Sequence, residues 1–354
     1  MNLPENTRAN GEPSVLALST VHPGHSAHSG YQMLASYLPN TEFLSTLRRD
    51  PSGILCRALA RGARRLSFTR WYLGGCAVLE WQALWRIVAK RYGILHSLWA
   101  DHDLGYLDLL PRRIVRLVGT FHNCSDTFPK TIRFPSRLRR FDAIILMSAV
   151  QADYFLGRGV PANKLHVIPH GVDTDYFSPI AQPQRSEFTV LSVGGYRRNF
   201  SLLVKICSAL AGDRRIRFRI VGPRDYSAMF RSFANVEYRW GLSDEDLLAA
   251  YRTSSCFLLT AESATANNAL LEAMACGLPV VTERVGGIPE YVNSQCASLV
   301  EPNDAEEAAR SLTAIADAPL LAAEMGKAAH EHALTLNWAR TAEATSHLYD
   351  TLLN

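Results

Sequence analysis

Asn267-Asn268-Ala269-Leu270-Leu271-Glu272-Ala273-Met274-Ala275-Cys276-Gly277-Leu278-Pro279-Val280-Val281-Thr282-Glu283-Arg284-Val285-Gly286-Gly287-Ile288-Pro289-Glu290 reads as helix, turn, buried strand and glycine loop in unbroken succession. Leu270, Leu271, Met274 and Ala275 recur at helical spacing, Gly277 stops the helix, and Pro279-Val280-Val281 enters a β-branched strand. Glu272 falls inside the helix, among those apolar neighbours. Burying a carboxylate there is costly unless something hydrogen-bonds it, and a ligand's hydroxyl pair is one suitable partner. A glutamate that simply faces solvent is the plainer alternative.

Outward from this stretch, short β-rich runs alternate with helical patterns from residue 14 to the end, which argues for βαβ units and mostly parallel sheets in an α/β protein. In the first half, 14–20, 93–99, 115–122, 142–148 and 165–169 read as strands, with helices around 29–38, 54–66, 74–91 and 149–158. In the second half the strands are 188–194, 217–222, 256–260, 279–282 and 297–300. The proline-punctuated polar run from Asp173 to Arg185 reads as an interdomain linker. The expected organisation is a flexible terminus at 1–13, a first domain at 14–178, a second at 186–336, and a final helix at 337–354 that crosses back to the first. A nucleotide held by such folds sits at the carboxyl ends of the strands, so two facing sheets would make a cleft between the domains.

The 354 residues are enough for two cores of ordinary size. With 47% hydrophobic and 20% charged residues and a mean hydropathy near zero, the composition is that of a globular chain. No apolar run approaches the roughly 20 residues of a membrane-spanning helix, and residues 1–13 lack the apolar centre of a signal peptide. A cytoplasmic protein is expected, peripheral at the inner face of the membrane in one reading. Seven scattered cysteines without a C-x-x-C pair fit reduced thiols, not a disulfide framework or a zinc site. Between Leu44 and Tyr92, ten Lys or Arg face two acids, Asp50 and Glu80, with Trp71, Tyr72, Trp81 and Trp85 interleaved. Such a surface suits phosphates. An anionic membrane or a lipid-diphosphate acceptor fits it as well as nucleic acid does, and a solvated basic face is the bland alternative.

Five motifs in order, IPHGVDTDYFSP (168–179), LSVGGYRRNF (191–200), RIVGP (219–223), WGLSDEDLLAAYRTSSCFLLT (240–260) and the opening stretch at 267–290, resemble the carboxyl-terminal half of the retaining nucleotide-sugar glycosyltransferases of family 4. HSGYQML (28–34), VGTFHN (118–123) and FDAIILMS (141–148) fall in the family's order in the amino half. The resemblance implies the GT-B fold, two Rossmann-like domains with an interdomain cleft.

It also implies roles. Glu272 would hydrogen-bond the ribose hydroxyls of the donor nucleotide. Asn267 and Asn268 stand at a helix amino terminus, where amides and the dipole favour the donor phosphates, although Asn268 alternatively reads as an N-cap. Arg197 and Arg198 fall in the loop where the family sets cations against the diphosphate, a leaving-group clamp. The arginine that directly follows the family's first glycine is replaced here by Gly195. Gly30, in a loop with His22, His25 and His28, would let backbone approach a phosphate; no carboxylate stands beside these histidines to make a metal site. His122 matches a histidine near the donor sugar's reactive carbon, acting by orientation and by its backbone carbonyl. The earlier of the family's two glutamates is Ala264 here, which leaves Glu262 or Thr265 as the candidate sugar contacts.

The reading is therefore a retaining, metal-independent glycosyltransferase that uses a nucleoside-diphosphate sugar as co-substrate and needs no further cofactor. The acceptor would be a glycan, a small molecule, or a lipid-linked or anionic molecule at a membrane surface; nucleic acid is not the expected partner. Two alternatives share the fold: a sugar-nucleotide epimerase, and a catalytically silent nucleotide- or polyanion-binding protein.

Overall fold

The computed structural model describes residues 14–21, 28–47, 61–180 and 187–354. The terminus 1–13, His22, His25, Arg48, Arg49, Asp50, Cys56, Arg57 and residues 181–185 of the linker lie outside them.

Two separate sheets, each of six strands and parallel throughout, organise the chain. The first contains β1 (Val15–Val21), β2 (Thr41–Leu47), β3 (Ile94–Ser97), β4 (Arg116–Phe121), β5 (Ala143–Leu146) and β6 (Leu165–Val167), in the order β2-β1-β3-β4-β5-β6. The second contains β7 (Phe188–Val193), β8 (Ile216–Val221), β9 (Val236–Arg239), β10 (Cys256–Leu259), β11 (Val280–Glu283) and β12 (Ala297–Val300), in the order β12-β11-β10-β7-β8-β9. Central strands such as β3, β5, β10 and β11 are buried at every position, as a parallel sheet covered on both faces requires. β2 and β9, absent from the sequence reading, are edge strands with mixed exposure, so neither carries a continuous apolar run.

The longer helices are α1 (Gly74–Ala89), α2 (Phe200–Ala209), α3 (Asp244–Thr253), α4 (Asn268–Ala275), α5 (Ala305–Asp317), α6 (Pro319–Thr335) and α7 (Trp338–Leu353). The expected helices at 29–38 and 149–158 are shorter and partly 3₁₀, at Tyr31–Ser36 and Ala149–Gln151, the latter running into a single α-turn at Ala152–Leu156. The α4–β11 connection follows from its glycine. Gly277 takes φ +76°, its amide reaches the Met274 carbonyl at 2.9 Å, and the Leu278 amide reaches that of Ala273 at 3.0 Å, the paired bonds that close a helix on a left-handed residue.

The chain divides into two units, one running to Gly171 and resumed at Trp338–Asn354, the other Val172–Asn337. The division falls before residue 178 because Val172 and Phe177 pack into the second unit's core with Leu191, Tyr251 and Leu270. Within the first unit α7 is fastened by buried contacts: Tyr349 Oη stands 2.5 Å from His96 Nδ1, and Thr341 Oγ1 donates to the Pro169 carbonyl at 3.1 Å. His96 in turn meets Thr120 Oγ1 at 2.8 Å, and burial pulls its imidazole down to about 3, so it stays neutral. Among the described residues no helix is long and apolar enough to cross a membrane, and the described cysteines are buried.

β4 passes through the first core at Gly119, where an added Cβ would lie 2.4 Å from Phe141 Cε1 and 2.9 Å from Ala100 Cβ. Gly119→Ala should therefore cost about 1–3 kcal/mol through overpacking. The measurement is the midpoint of urea unfolding; an unchanged midpoint would show that Phe141 has room to move.

Candidate functional site

In the second sheet the chain adds β8 and β9 on one side of β7 and then returns to add β10 on the other, so the strand order reverses between β7 and β10. In open parallel sheets such a reversal is where loops of opposite direction leave room for a ligand at the carboxyl ends. The residues that follow those two strands are Gly194–Arg198 and Thr260–Asn267. They are stitched together: Asn199 N donates to the Thr260 carbonyl at 3.1 Å, Glu262 N to that of Arg197 at 3.0 Å, and Arg198 forms an isolated bridge with Ala261. Behind them the buried Glu283 carboxylate accepts from Ala261 N at 2.9 Å and Asn303 N at 2.8 Å, and burial raises its pKa.

Arg198 is the centre of this group. Its Nε donates to the Val193 carbonyl at 2.9 Å and its Nη2 to Asn267 Oδ1 at 3.2 Å. The same Asn267 oxygen caps α4 by accepting from Leu270 N at 3.1 Å. Asn267 is thus the N-cap, and Asn268 is the first helical residue, half-buried. Burial pulls the Arg198 guanidinium down to about 10, opposed by the nearby Tyr251 and Glu272. Arg197 is half-buried and held at φ +53°, a left-handed conformation rarely tolerated by a long side chain. At Gly195 a Cβ would come 2.3 Å from Pro223 Cγ.

Glu272 is buried in α4, only 5% exposed, and its Oε2 accepts from Tyr251 Oη at 2.8 Å. The carboxylate that the sequence left in search of a partner has a phenol from α3, pushed well above its usual pKa by burial and by Glu272. Ala264 and Thr265 are buried, and Glu262 is exposed. The Ala264 carbonyl accepts from Gly287 N at 2.8 Å, and a Cβ on Gly286, which sits at φ +52°, would lie 2.2 Å from that same oxygen. The glycine pair thereby fixes the loop between Ala261 and Asn267.

The first unit gathers a second group at the carboxyl ends of its strands. Gly30 takes φ +98° and ψ 155°, a combination open to glycine, and sets Tyr31 at the start of its 3₁₀ turn. Tyr31 packs edge-on against His122 at 4.6 Å between centroids, and also against His170 and Trp338. His122 stacks on Trp99 at 3.8 Å and 24°, while its Nε2 meets the Leu98 carbonyl at 2.7 Å; since a carbonyl only accepts, Nε2 carries the proton. Burial pulls His122 to about 3 and His170 to about 4, so both are neutral near pH 7. Among the described residues no group of three or more His, Cys, Asp or Glu is placed to hold a metal.

The structure thus joins Arg198, Asn267 and Glu272 in one unit, and Gly30 and His122, through Tyr31, in the other. Sequence reasoning missed Tyr251, Glu283, Tyr31, Trp99 and Trp338. Only Glu283 carried a signal, an acid closing an apolar strand. The others read as ordinary core aromatics.

Residues 187–318 match the model of the family described as Glycosyl transferases group 1, and residues 46–176 match Glycosyltransferase Family 4. The D-inositol 3-phosphate glycosyltransferase of Saccharomonospora viridis is 35% identical over 301 residues, 73% of this chain and 70% of that protein. The MMP alpha-(1->4)-mannosyltransferase of Mycolicibacterium hassiacum is 26% identical over 220 residues, 59% of this chain; there the chain spans about half of the relative's length, 54%. Among solved structures, Anabaena HepE in complex with UDP-glucose superposes with a TM-score of 0.64 at 14% identity, over 95% of this chain and 99% of that one, a likeness of fold. With both halves matched and a relative at 35% identity over most of its length, the chain belongs to the family 4 glycosyltransferases and has their two-sheet GT-B fold.

Proposed function

We propose that this protein is a retaining glycosyltransferase that takes a sugar from a nucleoside diphosphate, held by the second unit, and passes it to an acceptor held by the first. The observation that carries the reading is the buried Glu272 carboxylate on α4, with Arg198 bridging the N-cap of that helix to the end of β7. A carboxylate oxygen accepts several hydrogen bonds, so Glu272 can keep Tyr251 and still receive a ribose hydroxyl. Breaking the sugar–phosphate bond leaves charge on the departing diphosphate; Arg197, Arg198 and the amides at the start of α4, from Asn268 onward, are the groups that would take it. HepE, solved with UDP-glucose on the same fold, supports a nucleotide sugar as donor. Neutral His122, with Nε2–H committed to a carbonyl, fits a role in orienting the sugar rather than in taking a proton. Glu262 and Thr265 remain the candidate sugar contacts.

The acceptor is proposed to lie at an anionic membrane surface. α1 buries Cys76, Leu79, Ala83 and Ile87 on one face, yet its outward face is also apolar, with Trp81 55%, Trp85 61% and Val88 73% exposed. The two indoles meet edge to face at 6.2 Å. Arg86, Lys90 and Arg91 flank this stripe, Tyr72 is buried, and Trp71 is half-buried. The first unit holds 22 Lys and Arg against 13 Asp and Glu, net +9, whereas the second is net −5. Indoles settle at the headgroup level, and positive charge favours an anionic leaflet.

Three measurements test the proposal. Glu272→Gln should weaken binding of the tightest nucleoside diphosphate in a calorimetric panel by about one to two powers of ten, the worth of charge-assisted hydrogen bonds, while Glu262→Gln leaves it unchanged. Wild-type affinity in the Glu272 variant would remove the residue on which the reading rests. Turnover should persist in EDTA; complete loss restored by Mg²⁺ or Mn²⁺ would end the metal-independent reading. Sedimentation with anionic liposomes should fall as salt rises and fall again in Trp81→Ala/Trp85→Ala. No binding even at low salt would make the acceptor a soluble one.

A further inference from the structure

We propose that Asp101 is a positioning residue of the transfer reaction, holding His122 in place by taking the backbone amides at the end of β4. The inference rests on the role given to His122 in the proposed reaction.

β4 ends at Phe121, so the amides of the next two residues leave the ladder inside a buried region and need an acceptor from elsewhere. Asp101, fully buried in the turn after β3, supplies it with a single atom: Oδ2 accepts from His122 N at 2.9 Å, Asn123 N at 2.7 Å and Asn123 Nδ2 at 2.7 Å. The same turn holds the imidazole, through the Leu98 carbonyl on Nε2 and the Trp99 indole against its face. Backbone and ring of His122 are therefore both set by residues 98–101. Asn123 Nδ2 also lies 3.0 Å from His102 Nε2, which extends the same fixation by one residue. Two positions on, Asp103 takes Thr20 N at 2.8 Å and Thr20 Oγ1 at 2.7 Å, so this one turn pins the ends of β4 and β1 together.

The other oxygen of Asp101, Oδ1, is buried with no hydrogen-bond partner among the described residues, and burial lifts the carboxyl to about 6. Here one oxygen carries every contact, and all of them converge on residues 122 and 123.

Asp101→Asn keeps the shape and one acceptor oxygen while removing the charge from the three bonds. At a temperature where the variant is folded by circular dichroism, its kcat should fall about tenfold to a hundredfold, with the donor KM within twofold, since a small displacement of a group that orients the substrate has effects of that size. In combination with His122→Ala the loss should be no larger than for His122→Ala alone, because a residue acting through another is not additive with it. Additive losses, or a lowered melting temperature with unchanged kcat, would overturn the inference. A second arm needs no turnover. In ¹⁵N NMR the wild-type His122 ring, assigned by its absence in the alanine variant, should show one Nε2–H tautomer and no titration above pH 5; Asp101→Asn should broaden or split it. An unchanged His122 signal overturns the positioning role. A wild type that turns over no donor would instead count against the proposed function and leave this arm decisive.

Discussion

A sheet in which every strand is parallel brings the carboxyl ends of all its strands, where amides leave the ladder, to one edge, and in this protein both sheets are built that way. The central faces of the sheets are buried and largely apolar, so apart from the mutually bonded His96, Thr120 and Tyr349 polar side chains would converge there only at large cost. They converge instead where the amides leave the ladders. The loops at those ends must be held in position by groups other than the strands themselves, and the rest of the architecture follows from how this is done.

Carboxylates and an arginine do most of it. Glu283 holds the loop after β10, Asp101 the residues after β4, and Asp103 the end of β1. Glu80, buried in α1, accepts from the amides of Gly105, Tyr106 and Leu107 and from Tyr72 Oη, and its burial raises the carboxyl to about 7. A carboxylate suits this work because each oxygen can take several amides, and charge-assisted bonds offset the loss of water. Arg198 is the cationic counterpart, with three groups, a strand-end carbonyl, a helix cap and the field of Glu272, meeting at one guanidinium. The same features that fix these loops leave donors and acceptors at the carboxyl ends of β7 and β10.

The two units differ in electrostatic character as well as in sequence. The first is strongly basic and carries exposed indoles on α1; the second is acidic overall, yet concentrates Arg197, Arg198 and the amino end of α4 at its strand ends. A local cationic site within an acidic unit selects for an anion by geometry, whereas a broadly basic surface attracts anionic surfaces at longer range. That separation suits the proposed reading, in which one small anionic substrate is bound in detail and another by its surroundings.

Much of this was legible in the chain. Continuous apolar runs located the central strands, because a strand buried on both faces admits little else. Gly277 ended α4 where the pattern said it would, because only the left-handed residue closes the helix before Pro279. The apolar neighbours of Glu272 pointed to burial, and the structure decided for it against a solvent-facing side chain. The edge strands β2 and β9 left no such trace, since a half-exposed strand tolerates almost any residue. Nor could the sequence show that Tyr251 reaches Glu272, that Asp101 lies under His122, or that Val172 and Phe177 belong to the second core. Local pattern is set by neighbours a few residues away, and each of these facts depends on partners about twenty or more residues distant, which only the packed chain brings within hydrogen-bond or van der Waals reach.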